Sequence, residues 1–137
     1  NPEPKKISEL QEEIRLFIND FADSMDLQIN LDFPIPTVDY YLDGHTTKQL
    51  MRILKEAINN VTKHAHATTL NIGLSLVQKK YIHLNINDDG IGFGYGKENI
   101  FGHGLKSMEI RAQKMGAIFN LESQIGQGTQ ISVVKEI

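Results

Sequence analysis

The sequence predicts an α+β fold, a two-layer α/β sandwich in which helices pack on one face of a mixed, mostly antiparallel sheet. Three segments carry apolar residues at helical spacing, whereas the other apolar residues alternate with polar ones as in half-buried strands. Four of the strand segments form two pairs joined by short polar turns, which is typical of hairpins. With 137 residues, 40% of them hydrophobic, the chain is large enough for one domain with its own core.

The first helix is predicted over residues 8 to 25. Ser8 and Gln11 have the spacing of a capping box at its start. The apolar residues at helical spacing are Ile7, Leu10, Ile14, Phe17, Ile18, Phe21 and Met25. An alternating strand, "LQINLDF", follows at 27–33 and ends at a proline, and "TVDYYL" at 37–42 is expected to form a second short strand.

The second helix is predicted over residues 46 to 65, with Thr46 and Gln49 as its capping box. Its apolar stripe has a period near 3.6 residues. The residues of this stripe are Leu50, Ile53, Leu54, Ala57, Ile58 and Val61. Two alternating runs, 69–77 and 81–88, are joined by "QKK" and predict an antiparallel hairpin.

A third, shorter helix is predicted to end near Gly116, a residue type that commonly follows a helix C-terminus. Its apolar positions are Leu105, Met108, Ile110, Ala112 and Met115. The segments "AIFNLES" and "GTQISVVKEI" then predict two closing strands around "QIGQG".

Composition limits the classes of function. The net charge of −3 gives no general basic surface, so we expect no nucleic-acid partner. The absence of cysteine excludes disulfides and thiolate metal sites. No apolar run reaches the roughly 20 residues of a spanning helix. The opening "NPEPKK" is typical of a linker, so we expect a linker remnant at 1–6 and an excised domain at 7–137 that is monomeric by itself.

The glycine-rich stretch 87–108, "NDDGIGFGYGKENIFGHGLKSM", matches neither a P-loop nor a Rossmann fingerprint. Asn85, Asn87, Asp89 and Gly90 fit positions of an EF-hand loop, but Gly96 occupies the position of the bidentate glutamate, which disfavours calcium. "DDG" alone is equally compatible with a simple turn. "GHGL" at a helix start adds unsatisfied N–H groups that favour an anion.

The central helix carries a polar line beside its apolar stripe. At about 100° per residue, Glu56, Asn60 and His64 lie on one side, with Lys63 close by. The amide oxygen of Asn60 is a suitable ligand for Mg²⁺. Glu56, one turn earlier, could accept a proton. A zinc site from His64 and His66 is disfavoured because their spacing places them on different faces.

These segments resemble a known family. "EAINNVTKHA" (56–65), "DDGIGF" (88–93), "GHGL" (102–105) and "GT" (128–129) resemble, in order and spacing, the N, G1 and G2 boxes and closing Gly-Thr of the GHKL ATP-binding superfamily. The sequence looks like the catalytic ATP-binding (HATPase_c) domain of a two-component sensor histidine kinase of the NarX and DesK-like subgroup. The resemblance covers about residues 25–137.

The resemblance implies a Bergerat fold that binds ATP and Mg²⁺ between the central helix and a short lid at about 93–101. Asp88 would accept the adenine amino group, Thr129 would assist through water, and Asn60 would coordinate Mg²⁺. Glu56 matches the position that handles water or the phosphoacceptor proton. The ATP-binding residues implied by the resemblance are Asn60, Lys63, His64, Asp88, Gly90, Gly92, Gly102, His103, Gly104, Leu105 and Thr129.

The resemblance also implies partners. The complete kinases carry a phosphoacceptor histidine in a helical dimerisation segment, and none of the five histidines here has that setting. We therefore expect transfer to a histidine on a separate dimerisation domain, and then to a response regulator. The domain would be cytoplasmic, in a full-length protein that could be membrane-anchored. An anti-sigma-factor serine kinase and a non-catalytic nucleotide-binding module remain alternatives.

Overall fold

A five-stranded sheet forms one layer of the computed structural model, which describes residues 2–92 and 102–137. In chain order the elements are β1 (Lys5–Lys6), α1 (Ile7–Ala22), β2 (Gln28–Asp32), β3 (Tyr41–Leu42), α2 (Gly44–Asn60), β4 (Thr69–Val77), β5 (Tyr81–Asp88), α3 (Gly102–Lys114), β6 (Ile118–Ser123) and β7 (Thr129–Glu136). The large sheet has the order β2-β4-β5-β7-β6. Only its β2–β4 pair is parallel. The predicted fold class is confirmed.

Alternation along the strands decides which face of the sheet is covered. On β5, Ile82, Leu84 and Ile86 are buried, while the residues between them are only partly covered. The buried side faces the helices, since α1 contacts β4 and α2 contacts β5. Asp88 continues the buried series at the end of β5, so it lies on the helix side of the sheet. A polar residue therefore ends an apolar row.

Helix α1 begins at Ile7, and its predicted capping box is wrong. The N–H and hydroxyl groups of Ser8 both donate to the carboxylate of Asp39, which lies in the loop before β3. Gln11 is buried, and its amide donates to the backbone oxygens of Pro34 and Leu74 at 2.9 Å each. A buried amide must find partners, so Gln11 connects α1 to the loop and the sheet.

Helix α2 is capped by Asp43, which accepts a hydrogen bond from the N–H of Thr46 at 2.7 Å. The predicted capping box of Thr46 and Gln49 is therefore wrong. Gln49 is buried, and its Oε1 accepts from Arg111 of α3 at 3.3 Å. A carboxylate acceptor at the N-terminus binds an unsatisfied N–H group and complements the helix dipole.

The C-terminal end of α2 is not a regular α-helix. Val61–Ala65 form one π-helical turn, and His66 then takes a left-handed conformation with φ of 50°. The predicted helix 46–65 thus corresponds to an α-helix followed by this wider turn. No helix within the described ranges is long and apolar enough to cross a membrane.

The predicted strands are confirmed, but "TVDYYL" pairs only over Tyr41–Leu42, with β1. That pairing includes Lys5–Lys6, inside the segment expected to be a linker. In the β4–β5 hairpin, Gln78 and Lys79 both have positive φ, as two-residue turns of the common hairpin type require.

The β6–β7 turn contains two glycines with similar backbone conformations and different surroundings. Gly126 has φ of +81° with nothing within 4 Å of an added Cβ, whereas Gly128 has φ of +77° and its Cβ would lie 2.0 Å from the backbone oxygen of Asp88. Gly128 is therefore required both by its conformation and by close approach to β5.

We expect Gly128→Ala to lower the free energy of unfolding more than Gly126→Ala. Left-handed backbone costs an alanine roughly 1–2 kcal/mol at either position. The backbone clash adds about 1–3 kcal/mol at Gly128 alone, on the scale of overpacking. Urea unfolding of both variants would measure the difference, and equal losses would contradict the assigned contact.

Candidate functional site

Several segments meet at one end of the sheet, around the C-terminus of β5. Asp88 pairs with Leu70 near the start of β4 and with Thr129 at the start of β7. The start of β4 follows the π-helical turn after a connection of only three residues, 66–68. The end of α2, the end of β5 and the β6–β7 turn therefore lie at the same edge.

Helix α3 brings its N-terminus toward this edge. Its C-terminal half lies beside the start of α2, because Arg111 binds Gln49 and His45 Nε2 lies 3.2 Å from the backbone oxygen of Lys114. The two helices are therefore antiparallel. Gly102, the first residue of α3, is directed toward the C-terminal half of α2, where Asn60 lies.

Asp88 is a half-buried carboxylate with a fixed orientation. Its Oδ1 accepts a hydrogen bond from the N–H of Gly90 at 2.8 Å. Burial raises the pKa of Asp88, and the backbone N–H groups of Gly90 and Thr129 partly offset that rise. Such an oriented carboxylate on the helix side of the sheet can accept a hydrogen bond from a neutral amine.

Thr129 is held by a residue that the sequence did not indicate. The Ser123 hydroxyl donates to the backbone oxygen of Gly128 at 3.0 Å and lies 2.9 Å from the Thr129 hydroxyl. Ser123 and Thr129 are paired across β6 and β7. Because the Ser123 hydroxyl donates its proton to Gly128, the Thr129 hydroxyl donates to Ser123. The Thr129 oxygen can then still accept a hydrogen bond. For Ser123, the signal available in the sequence was its position at the end of a predicted strand.

The glycines of "DDGIG" have separate local uses. Gly90 is buried and donates its N–H to Asp88. Gly92 has φ of +62°, and an added Cβ would lie 2.1 Å from the backbone oxygen of Gln124 in the β6–β7 turn. Close approach to neighbouring backbone therefore already requires glycine at 92. The expected approach of either residue to a base stays a prediction.

Asp89, the second aspartate of "DDG", forms a clamp that the sequence did not predict. Its carboxylate accepts from the N–H and hydroxyl of Thr68, at 2.8 and 2.6 Å, and from the N–H of Thr69 at 2.9 Å. These hydrogen bonds, led by the Thr68 hydroxyl, lower the pKa of Asp89 to about 2. The only sequence signal was the Thr-Thr pair before β4.

Two residues of the predicted polar line on α2 have similar burial. Glu56 and Asn60 are both half-buried and one turn apart, while their neighbours Lys55 and Asn59 are exposed. Beyond Asn60 the α-helical extrapolation fails, because His64 lies in the wider π-helical turn. The side chain of His64 lies outside the described residues, so its place on this line stays a prediction.

The remaining predicted residues are placed only in part. Lys63 lies exposed in the π-helical turn. Gly102, His103 and Gly104 form the start of α3 rather than a loop before it, and the side chain of His103 lies outside the described residues. Leu105 is half-buried against the core. The expected lid at 93–101 also lies outside the described residues.

A cluster of metal-ligating side chains does not occur in the parts of the chain that the structure describes, where no three His, Asp or Glu side chains are grouped to hold an ion. The predicted metal ligand, Asn60, is an amide and does not belong to these residue types. It is half-buried at the end of α2.

The histidine kinase-, DNA gyrase B- and HSP90-like ATPase family model matches residues 45–136. The chain is 31% identical over 134 residues to the sensor histidine kinase YdfH of Bacillus subtilis, covering 96% of this chain and 32% of YdfH. It is 28% identical over 126 residues to the nitrate/nitrite sensor protein NarQ of Escherichia coli, covering 92% of this chain and 22% of NarQ. The chain thus spans about a third or less of these relatives.

Solved structures share the fold. Full-length ShkA in complex with AMPPNP matches with a TM-score of 0.75 at 19% identity, over 98% of this chain and 30% of that one. The mycobacterial sensor histidine kinase MprB matches with a TM-score of 0.71 at 16% identity, over 99% and 97%. At these identities the likeness shows the fold alone. The match of more than half of the chain to the family model shows that it belongs to the histidine kinase-, DNA gyrase B- and HSP90-like ATPase family, as an ATP-binding catalytic domain of the sensor histidine kinase type.

Proposed function

We propose that this domain binds Mg-ATP and donates the γ-phosphoryl group to a histidine on a separate dimerisation domain, from which a response regulator receives it. The observation that carries the proposal is the carboxylate of Asp88, which ends an otherwise apolar row on the helix side of the sheet. A single oriented acceptor in an apolar setting suits the edge of a purine ring, which presents an amino group.

Adenine recognition would rest on Asp88 and Thr129. The backbone N–H groups of Gly90 and Thr129 hold the Asp88 carboxylate, with Gly90 bound to Oδ1. A carboxylate has about four lone-pair sites, so it would also accept a hydrogen bond from the exocyclic amine. Thr129, fixed by Ser123, would bind a bridging water beside it. A guanine, which carries a carbonyl at the corresponding position, would face the carboxylate with an acceptor and be rejected.

The triphosphate would lie toward α2 and the start of α3. Asn60 suits an Mg²⁺ site because it offers an amide oxygen on a residue that is only partly buried, and Mg²⁺ usually takes one or two protein oxygens together with waters and phosphate oxygens. When bound, the ion would neutralise charge developing on the phosphates. The N–H groups in the first turn of α3, Gly102 to Leu105, have no acceptor within the helix and would face the phosphate chain.

The remaining residues of the predicted site would assist transfer. Lys63, exposed in the π-helical turn, would contribute positive charge near the phosphates, and His64 would lie beside it. Glu56, one turn before Asn60, would handle the phosphoacceptor proton or a water. Phosphoryl transfer depends mainly on positioning and charge stabilisation, so no covalent intermediate on this domain is required.

The transfer can be tested by mixing the domain with radiolabelled ATP, Mg²⁺ and a helical hairpin that carries a phosphoacceptor histidine. We expect an acid-labile phosphohistidine on the hairpin and no label on a hairpin whose histidine is replaced by glutamine. Acid-stable phosphoserine on an antagonist protein would instead support the serine kinase alternative. Tight nucleotide binding without transfer to any acceptor would indicate a non-catalytic module.

Asp88→Asn is expected to weaken ATP binding about 10- to 100-fold, because a charge-assisted hydrogen bond is worth roughly 1.5–3 kcal/mol. Glu122→Gln, which makes the same charge change on exposed β6, serves as the matched control. Isothermal calorimetry would measure both affinities. Wild-type affinity in Asp88→Asn would remove Asp88 from adenine recognition.

Asn60→Ala is expected to raise the Mg²⁺ concentration that half-saturates ATP binding by about tenfold, through loss of one oxygen ligand. Asn59→Ala is the control, since Asn59 is adjacent and more exposed. The measurement is nucleotide affinity over a magnesium titration. A titration curve identical to that of the wild type would show that Asn60 is not the ligand.

A further inference from the structure

We propose that Asp89 is a positioning residue that holds the phosphate-binding end of α2 in register with the adenine-binding end of β5. The inference rests on the proposed function, since the proposed function assigns Asn60 and Asp88 to opposite ends of one nucleotide. Asp89 would not contact ATP. It would fix the distance between the groups that do.

The carboxylate of Asp89 binds one segment, Thr68 and Thr69 at the start of β4. Its Oδ1 accepts from the N–H groups of Thr68 and Thr69, and its Oδ2 accepts from the Thr68 hydroxyl. Its own N–H donates to the backbone oxygen of Thr69 at 3.3 Å. The residue is exposed, so these bonds are not needed to satisfy a buried charge. They tie the connection before β4 to the end of β5.

The connection between the π-helical turn and β4, residues 66–68, is too short to absorb movement. Only His66 and Ala67 separate the π-helical turn from Thr68. His66 already has φ of 50°, a conformation that is uncommon for non-glycine residues, and Ala67 packs against the core. A displacement of Thr68 would therefore be passed to the π-helical turn and to Lys63 within it.

Asp89 is also joined to the end of β5, through its peptide bond to Asp88. The N–H of Gly90 orients the carboxylate of Asp88. Backbone strain of the kind seen at His66 persists only where surrounding contacts hold it. The clamp at Asp89 supplies such contacts, and it joins the strained turn to the adenine-reading carboxylate.

The test compares the affinities of adenosine and Mg-ATP by calorimetry. Adenosine probes the β5 end alone, whereas Mg-ATP also needs the end of α2. We expect Asp89→Ala to weaken Mg-ATP binding about fivefold or more, in the range of coupling between sites, and to change adenosine binding less than about twofold. Thr68→Val, which removes only the hydroxyl donor, should shift the same ratio in the same direction by less.

Two further variants separate positioning from plain stability. Asp39→Ala removes a similar clamp, in which a carboxylate accepts from the N–H and hydroxyl of Ser8 at the start of α1. It should lower the unfolding midpoint and leave both affinities unchanged. Asp89→Asn keeps an oxygen for the two N–H groups and should restore most of the Mg-ATP affinity lost in Asp89→Ala.

The outcomes are distinguishable. Equal weakening of adenosine and Mg-ATP by Asp89→Ala would show that the clamp acts only on the end of β5, and unchanged affinities would show that it positions nothing; either result overturns the inference and leaves the proposed function intact. A wild-type domain that binds neither probe would overturn the proposed function itself, together with this inference.

Discussion

The structure depends on the two-residue alternation of its strands. Because apolar residues occupy alternate positions through the middle of β4, β5 and β7, one face of the sheet must be covered, and the helices lie on that face. The same alternation positions the site. At the end of β5 the buried series of isoleucine and leucine continues into Asp88, so the apolar row ends in a carboxylate on the same face of the sheet. The register with Thr129 then brings a second polar group to the same place.

Much of the architecture could be predicted from sequence because it follows from periodicity. The long amphipathic helices and the β4–β5 hairpin have strong patterns, and they were located to within a few residues. Both capping boxes failed for one reason. Ser8 and Thr46 have the right spacing, but the carboxylates of Asp39 and Asp43 are stronger acceptors, and Asp39 is brought to the helix start only by the fold. Asp43 has the N-cap spacing to Thr46, so this cap was visible in the sequence, whereas local spacing could not show that Asp39 lies beside Ser8.

The site was predictable to a different degree at its two ends. The proposed adenine side follows from residues at a strand end, so Asp88 could be assigned a position from the alternation alone. The proposed phosphate side includes a change from α- to π-helix after Asn60, which breaks the rotation of about 100° per residue on which the predicted position of His64 relied. Asp89 and Ser123 act through hydrogen bonds to distant or backbone partners, and neither belongs to a pattern that spacing reveals.

The position of β7 has a consequence for the order of events during synthesis. β7 is the last strand in the chain, yet it lies inside the sheet between β5 and β6. Until it emerges from the ribosome, β5 has an open edge, Asp88 lacks its neighbour Thr129, and β6 has no strand to pair with. Competence to bind nucleotide would therefore arise only after β7 has been synthesised and has paired with β5 and β6.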